Sequence, residues 1–259
     1  MPFADVSGAQ LHYRFDGRAD APVLMLSNSL GTNLEMWAPQ IDALAARYRV
    51  LRYDSRGHGQ SAVTPGPYDI PLLARDALGL LDALRVDRAM FCGLSMGGMV
   101  GQWLGANVPH RLARLVLANT AGQIGTADVW NARIDAVAHG GMAAIAEAVI
   151  GRWYTPAFVA ADPAAIERTR RMLLASPAMG YIASCAAVRD MDQRASAGRI
   201  AVPTLVISGA DDPATPPSAG RFLAENIPGA RYVELAASHL SNVEAAAAFT
   251  AAVTEFLDA

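Results

Sequence analysis

The segment Ala89-Met90-Phe91-Cys92-Gly93-Leu94-Ser95-Met96-Gly97-Gly98 constrains the fold of this 259-residue chain more than any other stretch. Its first four residues are apolar and indicate a buried strand, and the residues after Ser95 begin a helix. Gly93 and Gly97 flank the serine, where the strand and helix backbones pass close together. A serine on such a turn adopts strained backbone angles and presents its hydroxyl above the sheet. By itself the pattern is weak, because ordinary glycine-rich turns also produce it.

Short apolar runs alternate with segments of helical periodicity along most of the chain. Buried strands are predicted at 22–27, 49–54, 89–92, 115–119, 202–208 and 231–235. Apolar strands that alternate with helices indicate an α/β fold, with a mostly parallel central sheet and helices on both of its faces. The alternation stops between residues 122 and 194, where the sequence is helical. We therefore expect a core formed by residues 1–121 and 195–259, with a helical cap inserted at 122–194.

Three local signals predict where helices begin in the second half of the chain. Asp162-Pro163 and Ser176-Pro177 each combine an N-cap residue with proline at the first helical position. Ser241-Asn242-Val243-Glu244 has the pattern of a capping box and predicts the start of the last helix.

Composition excludes several classes of partner. The net charge is −3, without a basic block, which argues against nucleic acid or an anionic membrane surface as the main partner. No apolar run reaches the roughly 18 residues of a membrane span, and the first residues lack a signal-peptide pattern. Cys92 and Cys185 are expected to be free thiols, and no Cys/His cluster has metal-ligand spacing. We expect a cytoplasmic, reducing environment and no metal, while the oligomeric state stays open.

A serine nucleophile needs a general base, and the base needs an orienting carboxylate. For a serine on a strand-to-helix turn, the order along the chain is serine, carboxylate, histidine. Of the five histidines, His239 alone follows the resumed sheet, in a loop after a predicted strand. We therefore predict that His239 is the base. His58 precedes the serine and lies on a different loop, so we expect it to be structural.

Two adjacent carboxylates, Asp211 and Asp212, follow the strand predicted at 202–208. Neighbouring residues of a loop point in different directions, so we expect only one of them to reach His239. Spacing alone does not choose between them.

The oxyanion that forms in acyl transfer requires preorganised donors, which are backbone N–H groups in this arrangement. One belongs to the residue after the serine, Met96. It also begins a helix, so its N–H has no intrahelical partner. The other donor comes from the loop after the first buried strand, and we predict that it is Leu30.

With these residues in place, the chain resembles the α/β-hydrolase superfamily and, within it, the 3-oxoadipate enol-lactonases. The matching segments are Ser27–Thr32 with Met36-Trp37, Tyr53–Gly59, Gly93–Gly98, Ala118–Ala121, Cys185–Asp190 and Gly209–Pro217. The superfamily pattern G-x-x-D-x-x-x-P falls on Gly209, Asp212 and Pro216, which favours Asp212 over Asp211. Many relatives carry His-Gly where this chain has Asn28-Ser29, and that departure is typical of the enol-lactonase branch.

The resemblance implies that the chain hydrolyses 3-oxoadipate enol-lactone to 3-oxoadipate in the β-ketoadipate pathway of aromatic catabolism. The substrate is a small anionic lactone, and no cofactor or metal is required. Ser95 would attack the carbonyl and form an acyl-enzyme, with His239 as base and Asp212 orienting it. A carboxylesterase or a cofactor-free haloperoxidase would use the same three residues. A non-catalytic small-molecule receptor that retains them is a further alternative.

The acetate arm of that substrate calls for a cation in the cap. The candidates are Arg133, Arg152, Arg168, Arg170, Arg171, Arg189 and Arg194. Trp130, Ile134 and Val137 share one helical face by their spacing, and Arg133 lies at its edge. We predict that Trp130 forms an apolar wall of the binding site and that Arg133 binds the carboxylate. The alternative is that Trp130 packs within the cap and Arg133 is solvated.

Overall fold

Eight strands form one sheet in the computed structural model, which describes residues 2–259. Met1, the first residue of the predicted core range, lies outside the described residues. The strands are β1 (Phe3–Val6), β2 (Ala9–Asp16), β3 (Val23–Ser27), β4 (Arg49–Tyr53), β5 (Ala89–Leu94), β6 (Leu112–Ala118), β7 (Thr204–Gly209) and β8 (Arg231–Leu235). Their order is β1-β2-β4-β3-β5-β6-β7-β8. Strand β2 pairs antiparallel with β1 and β4, and the other neighbours are parallel, which confirms the mostly parallel sheet.

The α-helices lie between the strands and after the last one. They are α1 (Ile41–Ala45), α2 (Ile70–Ala83), α3 (Met96–Asn107), α4 (Ala127–Gly140), α5 (Ala146–Trp153), α6 (Pro156–Ala161), α7 (Pro163–Leu174), α8 (Ala178–Arg189), α9 (Pro217–Asn226), α10 (Ser241–Glu244) and α11 (Ala246–Asp258). Short 3₁₀ helices cover Leu34–Gln40, Pro109–Arg111, Met142–Ala144 and Arg194–Arg199. Within residues 2–259, no single helix has the length and hydropathy to cross a membrane, and the pair α7–α8, bent by 94°, meets those criteria only when both helices are joined.

Helices α4 to α8 fall between β6 and β7, inside the range 122–194. The structure describes this whole range and contains no strand there. Its division from the core as a separate cap domain stays a prediction. We use the word cap below for residues 122–194.

The central strands are buried on both faces. Every residue of β5 and of β7 is buried, and successive side chains of a strand point to opposite faces, so helices cover both sides of the sheet here. Strand β5 lies between β3 and β6, with Gly93 opposite Ser27 and Leu94 opposite Ala118. The carboxyl ends of the parallel strands therefore meet at one edge, where open α/β sheets bind ligands.

Two of the predicted helix starts differ in outcome. The start at Asp162 is confirmed, since its carboxylate accepts a hydrogen bond from Ala165 N at 2.8 Å. The cap predicted at Ser176 is wrong, because α8 begins after Pro177 and the Ser176 hydroxyl donates to Gly31 O at 2.9 Å. The Ser176 hydroxyl therefore binds a carbonyl from a distant part of the chain and not a backbone N–H at the start of α8.

The capping box predicted at the start of the last helix is also wrong. Ser241 lies inside the short helix α10, and its hydroxyl donates to Asn119 Oδ1 at 2.5 Å. The Glu244 carboxylate accepts from Ser238 N at 2.8 Å. The helix then breaks at Ala245, before α11 begins. Both polar side chains bind loops at the sheet edge instead of the helix terminus.

Substitution of Gly97 by alanine should destabilise the fold. A Cβ there would lie 2.1 Å from Ser27 O, a backbone atom that cannot move aside without shifting β3. We expect Gly97→Ala to lower the free energy of unfolding by roughly 2–4 kcal/mol in urea titrations. Gly151→Ala is the matched control. Apart from its chain neighbours and its own helix backbone, nothing in residues 2–259 lies within 4 Å of the added Cβ, and helix propensity should raise stability by at most about 1 kcal/mol. A wild-type midpoint for Gly97→Ala would contradict the close contact.

Candidate active site

Ser95 occupies the turn between β5 and α3 with φ 57° and ψ −115°, a left-handed conformation that strains a non-glycine residue. Its N–H donates to Ala118 O at 2.9 Å, which ties the turn to β6. A Cβ on Gly93 would lie 2.1 Å from Gly97 O. The two glycines therefore let the chain reverse tightly enough to hold Ser95 at the sheet edge.

His239 joins Ser95 to Asp212. Its Nε2 lies 3.0 Å from Ser95 Oγ, and its Nδ1 lies 2.8 Å from Asp212 Oδ2. The three residues are buried, with 7% of Ser95, 3% of His239 and 3% of Asp212 exposed. Asp211 is exposed and its side chain does not reach the histidine, so the geometry separates the two adjacent carboxylates that spacing left open.

Asp212 is held by a set of donors. Its Oδ1 accepts from Ala214 N at 2.8 Å and Thr215 N at 3.0 Å, while Oδ2 accepts from Thr215 Oγ1 at 2.6 Å and Asn119 Nδ2 at 3.0 Å. Burial alone would raise the pKa of Asp212, but the charge and hydrogen bond of His239 and the Thr215 donors hold it below its usual value. The ionised carboxylate accepts from the Nδ1–H group, so the Nε2 lone pair faces the Ser95 hydroxyl.

Thr215 and Asn119 were not predicted as members of this site. Asn119 follows β6 and has φ 43°, and its side-chain amide bridges Asp212 and the Ser238 carbonyl at 3.0 and 3.2 Å. The available signal was position, since a polar residue directly after a buried parallel strand lies at the ligand-binding edge.

The N–H groups of the two predicted oxyanion donors, Leu30 and Met96, are available to a ligand. Within residues 2–259, neither Leu30 N nor Met96 N donates a hydrogen bond to the protein. Met96 is the first residue of α3, where the helix leaves N–H groups unpaired and its dipole favours negative charge. Leu30 lines the cavity that also contains Ser95 and His239. This arrangement is compatible with an oxyanion hole.

We call residues 28–33, between β3 and the following 3₁₀ helix, the oxyanion loop. Gly31 N donates to His58 Nε2 at 2.9 Å, and His58 Nδ1 lies 3.2 Å from Arg56 O. The ring thus accepts on one nitrogen and donates on the other, as a neutral imidazole does. Burial lowers the pKa of His58, and the cavity lining does not include it. His58 therefore supports the loop, in agreement with its expected structural role.

A cavity of about 150 Å³ opens at Ser95. It is lined by Ser29, Leu30, Ser95, Ile124, Gly125, Val129, Trp130, Arg133, Val149, Arg152, Trp153, Tyr181, Val188, Pro213, Ala214 and His239. The predicted pair Trp130 and Arg133 thus lies in the same cavity as Ser95. Arg152 lies there as well and had not been singled out from the other cap arginines.

Arg133 is half-buried, with its guanidinium carbon 4.8 Å from the centre of the Trp130 ring. The Trp130 indole N–H donates to Ile124 O at 2.7 Å, which fixes the ring. Burial raises the pKa of Tyr181, and the Arg133 charge opposes that rise. Neither Arg133 nor Arg152 forms an ion pair within residues 2–259.

Most of the other cap arginines are neutralised by carboxylates. The pairs are Arg170 with Glu147 and Glu167, Arg171 with Glu167, Arg189 with Asp190, and Arg194 with Asp192. Arg168 lines a separate groove, between α7 and the 3₁₀ helix Leu34–Gln40. The positive charge next to Ser95 therefore comes from Arg133 and Arg152.

Residues 22–246 match the family described as alpha/beta hydrolase fold. The chain is 44% identical over 254 residues to 3-oxoadipate enol-lactonase 2 of Acinetobacter baylyi (strain ATCC 33305 / BD413 / ADP1), over 97% of this chain and 95% of that protein. It is 40% identical over 237 residues to 3-oxoadipate enol-lactonase 1 of the same organism, over 92% and 89%. The crystal structure of the enol-lactonase from Burkholderia xenovorans LB400 matches with a TM-score of 0.99 and 49% identity, over 100% of both chains.

The buried His58 should make the fold sensitive to acid. As the pH falls below its usual pKa of 6.5, the unfolded chain binds a proton that the folded His58 resists, so stability is lost. We expect the free energy of unfolding to fall by up to about 1.4 kcal/mol per pH unit from this residue. His58→Gln keeps an acceptor for Gly31 N–H but does not titrate, so its loss should be smaller in urea titrations between pH 8 and about 5. The exposed His110→Gln is the control, and equal losses in wild type and His58→Gln would contradict this account.

Proposed function

Because this chain belongs to the α/β-hydrolase family of ester-hydrolysing enzymes, we propose that it opens the ring of 3-oxoadipate enol-lactone through an acyl-enzyme on Ser95. One observation carries the proposal. A single small cavity contains Ser95 and His239 together with the guanidinium groups of Arg133 and Arg152, which form no ion pair within residues 2–259. The named enol-lactonases match nearly the whole chain and support this choice of substrate.

In the first step, the Ser95 hydroxyl attacks the lactone carbonyl. His239 Nε2, 3.0 Å from Ser95 Oγ, takes the hydroxyl proton as the new C–O bond forms. Asp212 stabilises the imidazolium through its 2.8 Å hydrogen bond to Nδ1. The low pKa of Asp212 supports this role, because the carboxylate stays charged when the proton moves.

The carbonyl oxygen becomes an oxyanion in the tetrahedral intermediate. Leu30 N–H and Met96 N–H, which have no protein acceptor within residues 2–259, would donate to it. Such donors act most strongly in a cavity that excludes water, and this one is largely lined by apolar side chains.

Ring opening then breaks the bond between the carbonyl carbon and the ring oxygen. The leaving group is an enolate, which is more stable than an alkoxide. The His239 imidazolium gives up the proton it took from Ser95, and the enolate becomes a ketone once it is protonated on carbon, which leaves His239 neutral again. The leaving group stays attached to the acyl chain, so the acyl-enzyme retains every atom of the lactone. Water, deprotonated by His239, attacks the ester carbonyl. As the bond to Ser95 Oγ breaks, the His239 imidazolium returns the proton to that oxygen, which releases 3-oxoadipate and restores the Ser95 hydroxyl.

The acetate arm of the substrate would bind the cavity arginines. Arg133 is half-buried against Trp130. A carboxylate there would form charge-assisted hydrogen bonds with its guanidinium, which has no anionic partner among the described residues 2–259. Arg152 is more exposed and would assist from the α5 side.

Removal of each proposed catalytic group should abolish most of the turnover. We expect Ser95→Ala, His239→Ala and Asp212→Asn each to lower kcat on the enol-lactone by about 10⁴-fold or more. Asp211→Asn is the matched control and should keep wild-type kcat, because that side chain does not reach His239. Loss of activity in Asp211→Asn with full activity in Asp212→Asn would reverse the assignment.

Arg133→Ala should weaken binding of the anionic substrate selectively. A charge-assisted hydrogen bond contributes about 1.5–3 kcal/mol, so KM for the enol-lactone should rise about ten- to a hundredfold. KM for a neutral ester such as p-nitrophenyl acetate should change little. Arg168→Ala, in the separate groove, should leave both values unchanged. If Arg133→Ala raises both KM values equally, the residue does not recognise the carboxylate.

A further inference from the structure

The carbonyl and the N–H of a trans peptide point in opposite directions, so a hydrogen bond to the carbonyl also fixes the direction of the N–H. The proposed oxyanion donors belong to two such peptide groups. Leu30 N–H shares its peptide with the Ser29 carbonyl, and Met96 N–H shares its peptide with the Ser95 carbonyl. The direction of both N–H groups is therefore set by the groups that donate hydrogen bonds to these two carbonyl oxygens.

A threonine hydroxyl binds the first carbonyl. Thr32 Oγ1 donates to Ser29 O at 2.7 Å, and Thr32 N donates to the same oxygen at 3.2 Å. Thr32 is fully buried. Its hydroxyl also lies 3.0 Å from Met36 Sδ, which accepts from Ser29 N at 3.4 Å. The Ser29–Leu30 peptide is thus held on the side opposite its N–H.

A second threonine hydroxyl, from another strand end, binds the other carbonyl. Thr120 Oγ1, after β6, donates to Ser95 O at 2.8 Å, and Met99 N donates to the same oxygen at 3.0 Å. Thr120 is 3% exposed. A Cβ on Gly98 would lie 2.6 Å from Thr120 Cβ, so the first turn of α3 rests on this side chain.

Satisfaction of buried carbonyls does not by itself require these hydroxyls. Each of the two oxygens already accepts one backbone N–H, from Thr32 and from Met99. The hydroxyl occupies the second lone pair, restrains the plane of the peptide and polarises it, which strengthens the N–H on its far side as a donor.

Resting on the function proposed above, we propose that Thr32 and Thr120 are positioning residues that aim and polarise Leu30 N–H and Met96 N–H toward the oxyanion. They do not touch the substrate. They act in the transition state, where the oxygen carries its negative charge, and have little effect on the neutral carbonyl of the bound substrate.

Thr32→Val and Thr120→Val replace the hydroxyl by a methyl group. With p-nitrophenyl acetate, each should lower kcat about tenfold, less than the 10²–10³-fold loss on removal of a whole donor, and leave KM within about twofold. The inhibition constant of phenylboronic acid, which forms a tetrahedral adduct with a nucleophilic serine, should rise by the same factor as kcat falls. Thr32→Ser and Thr120→Ser keep the hydroxyl and should restore both values.

Thr204→Val is the matched control, because its buried hydroxyl donates to Val202 O at 2.7 Å outside the cavity. It should lose stability without loss of kcat. Wild-type kcat in both valine variants, or a fall in kcat without a change in boronate affinity, would overturn the positioning role. If Thr120→Val does not fold, Thr120→Cys keeps the shape with a weak donor, and wild-type kcat there would equally overturn it.

Ser95→Ala in the same assay separates the two proposals. If Ser95→Ala still turns over the ester, the proposed function fails. If Ser95→Ala is inactive and the threonine variants behave as wild type, the positioning role alone fails.

Discussion

The backbone contact between the end of β3 and the first turn of α3 is the constraint on which the site depends. Gly97 N donates to Asn28 O at 3.0 Å, and a Cβ on Gly97 would lie 2.1 Å from Ser27 O. This contact holds one side of the strained turn at Ser95. On the other side, Ser95 N–H donates to Ala118 O. The Gly97 contact also brings the oxyanion loop beside the N-terminus of α3, so one contact between main chains positions the proposed nucleophile and the proposed oxyanion donors. Side chains complete the site, but this approach of the backbone makes it possible.

The loop that carries His239 is joined to the cap by a second set of hydrogen bonds. Ser238 Oγ donates to Arg152 O at 2.9 Å, and Leu240 N donates to Trp153 O at 3.1 Å. Glu244 accepts from Ser238 N at 2.8 Å and binds the start of α6 through its other contacts. Arg152 and Trp153 line the cavity, and their backbone carbonyls accept hydrogen bonds from the loop that carries the proposed base. The proposed substrate-binding residues and the proposed base are therefore connected by hydrogen bonds.

The sequence was most informative where pattern and chain order act together. The strand-to-helix turn at Ser95 and the position of His239 could be read from apolar runs and from the order of the elements. Asp212 could not be separated from its neighbour by spacing, because the choice depends on loop dihedrals. The capping box at Ser241 was misleading, since a tertiary acceptor competed with the helix end. Thr120 was missed because a hydroxyl that binds a carbonyl leaves no spacing signal before the strands are assembled.

Detection of the covalent intermediate tests the central claim most directly. Enzyme mixed with the enol-lactone, quenched in acid during the first turnovers and digested, can be examined by mass spectrometry for the peptide that contains Ser95. The account predicts that this serine gains the mass of one whole lactone, because ring opening releases no fragment. An adduct on another residue, or an unmodified Ser95 peptide in samples where 3-oxoadipate is already forming at the wild-type rate, would contradict it.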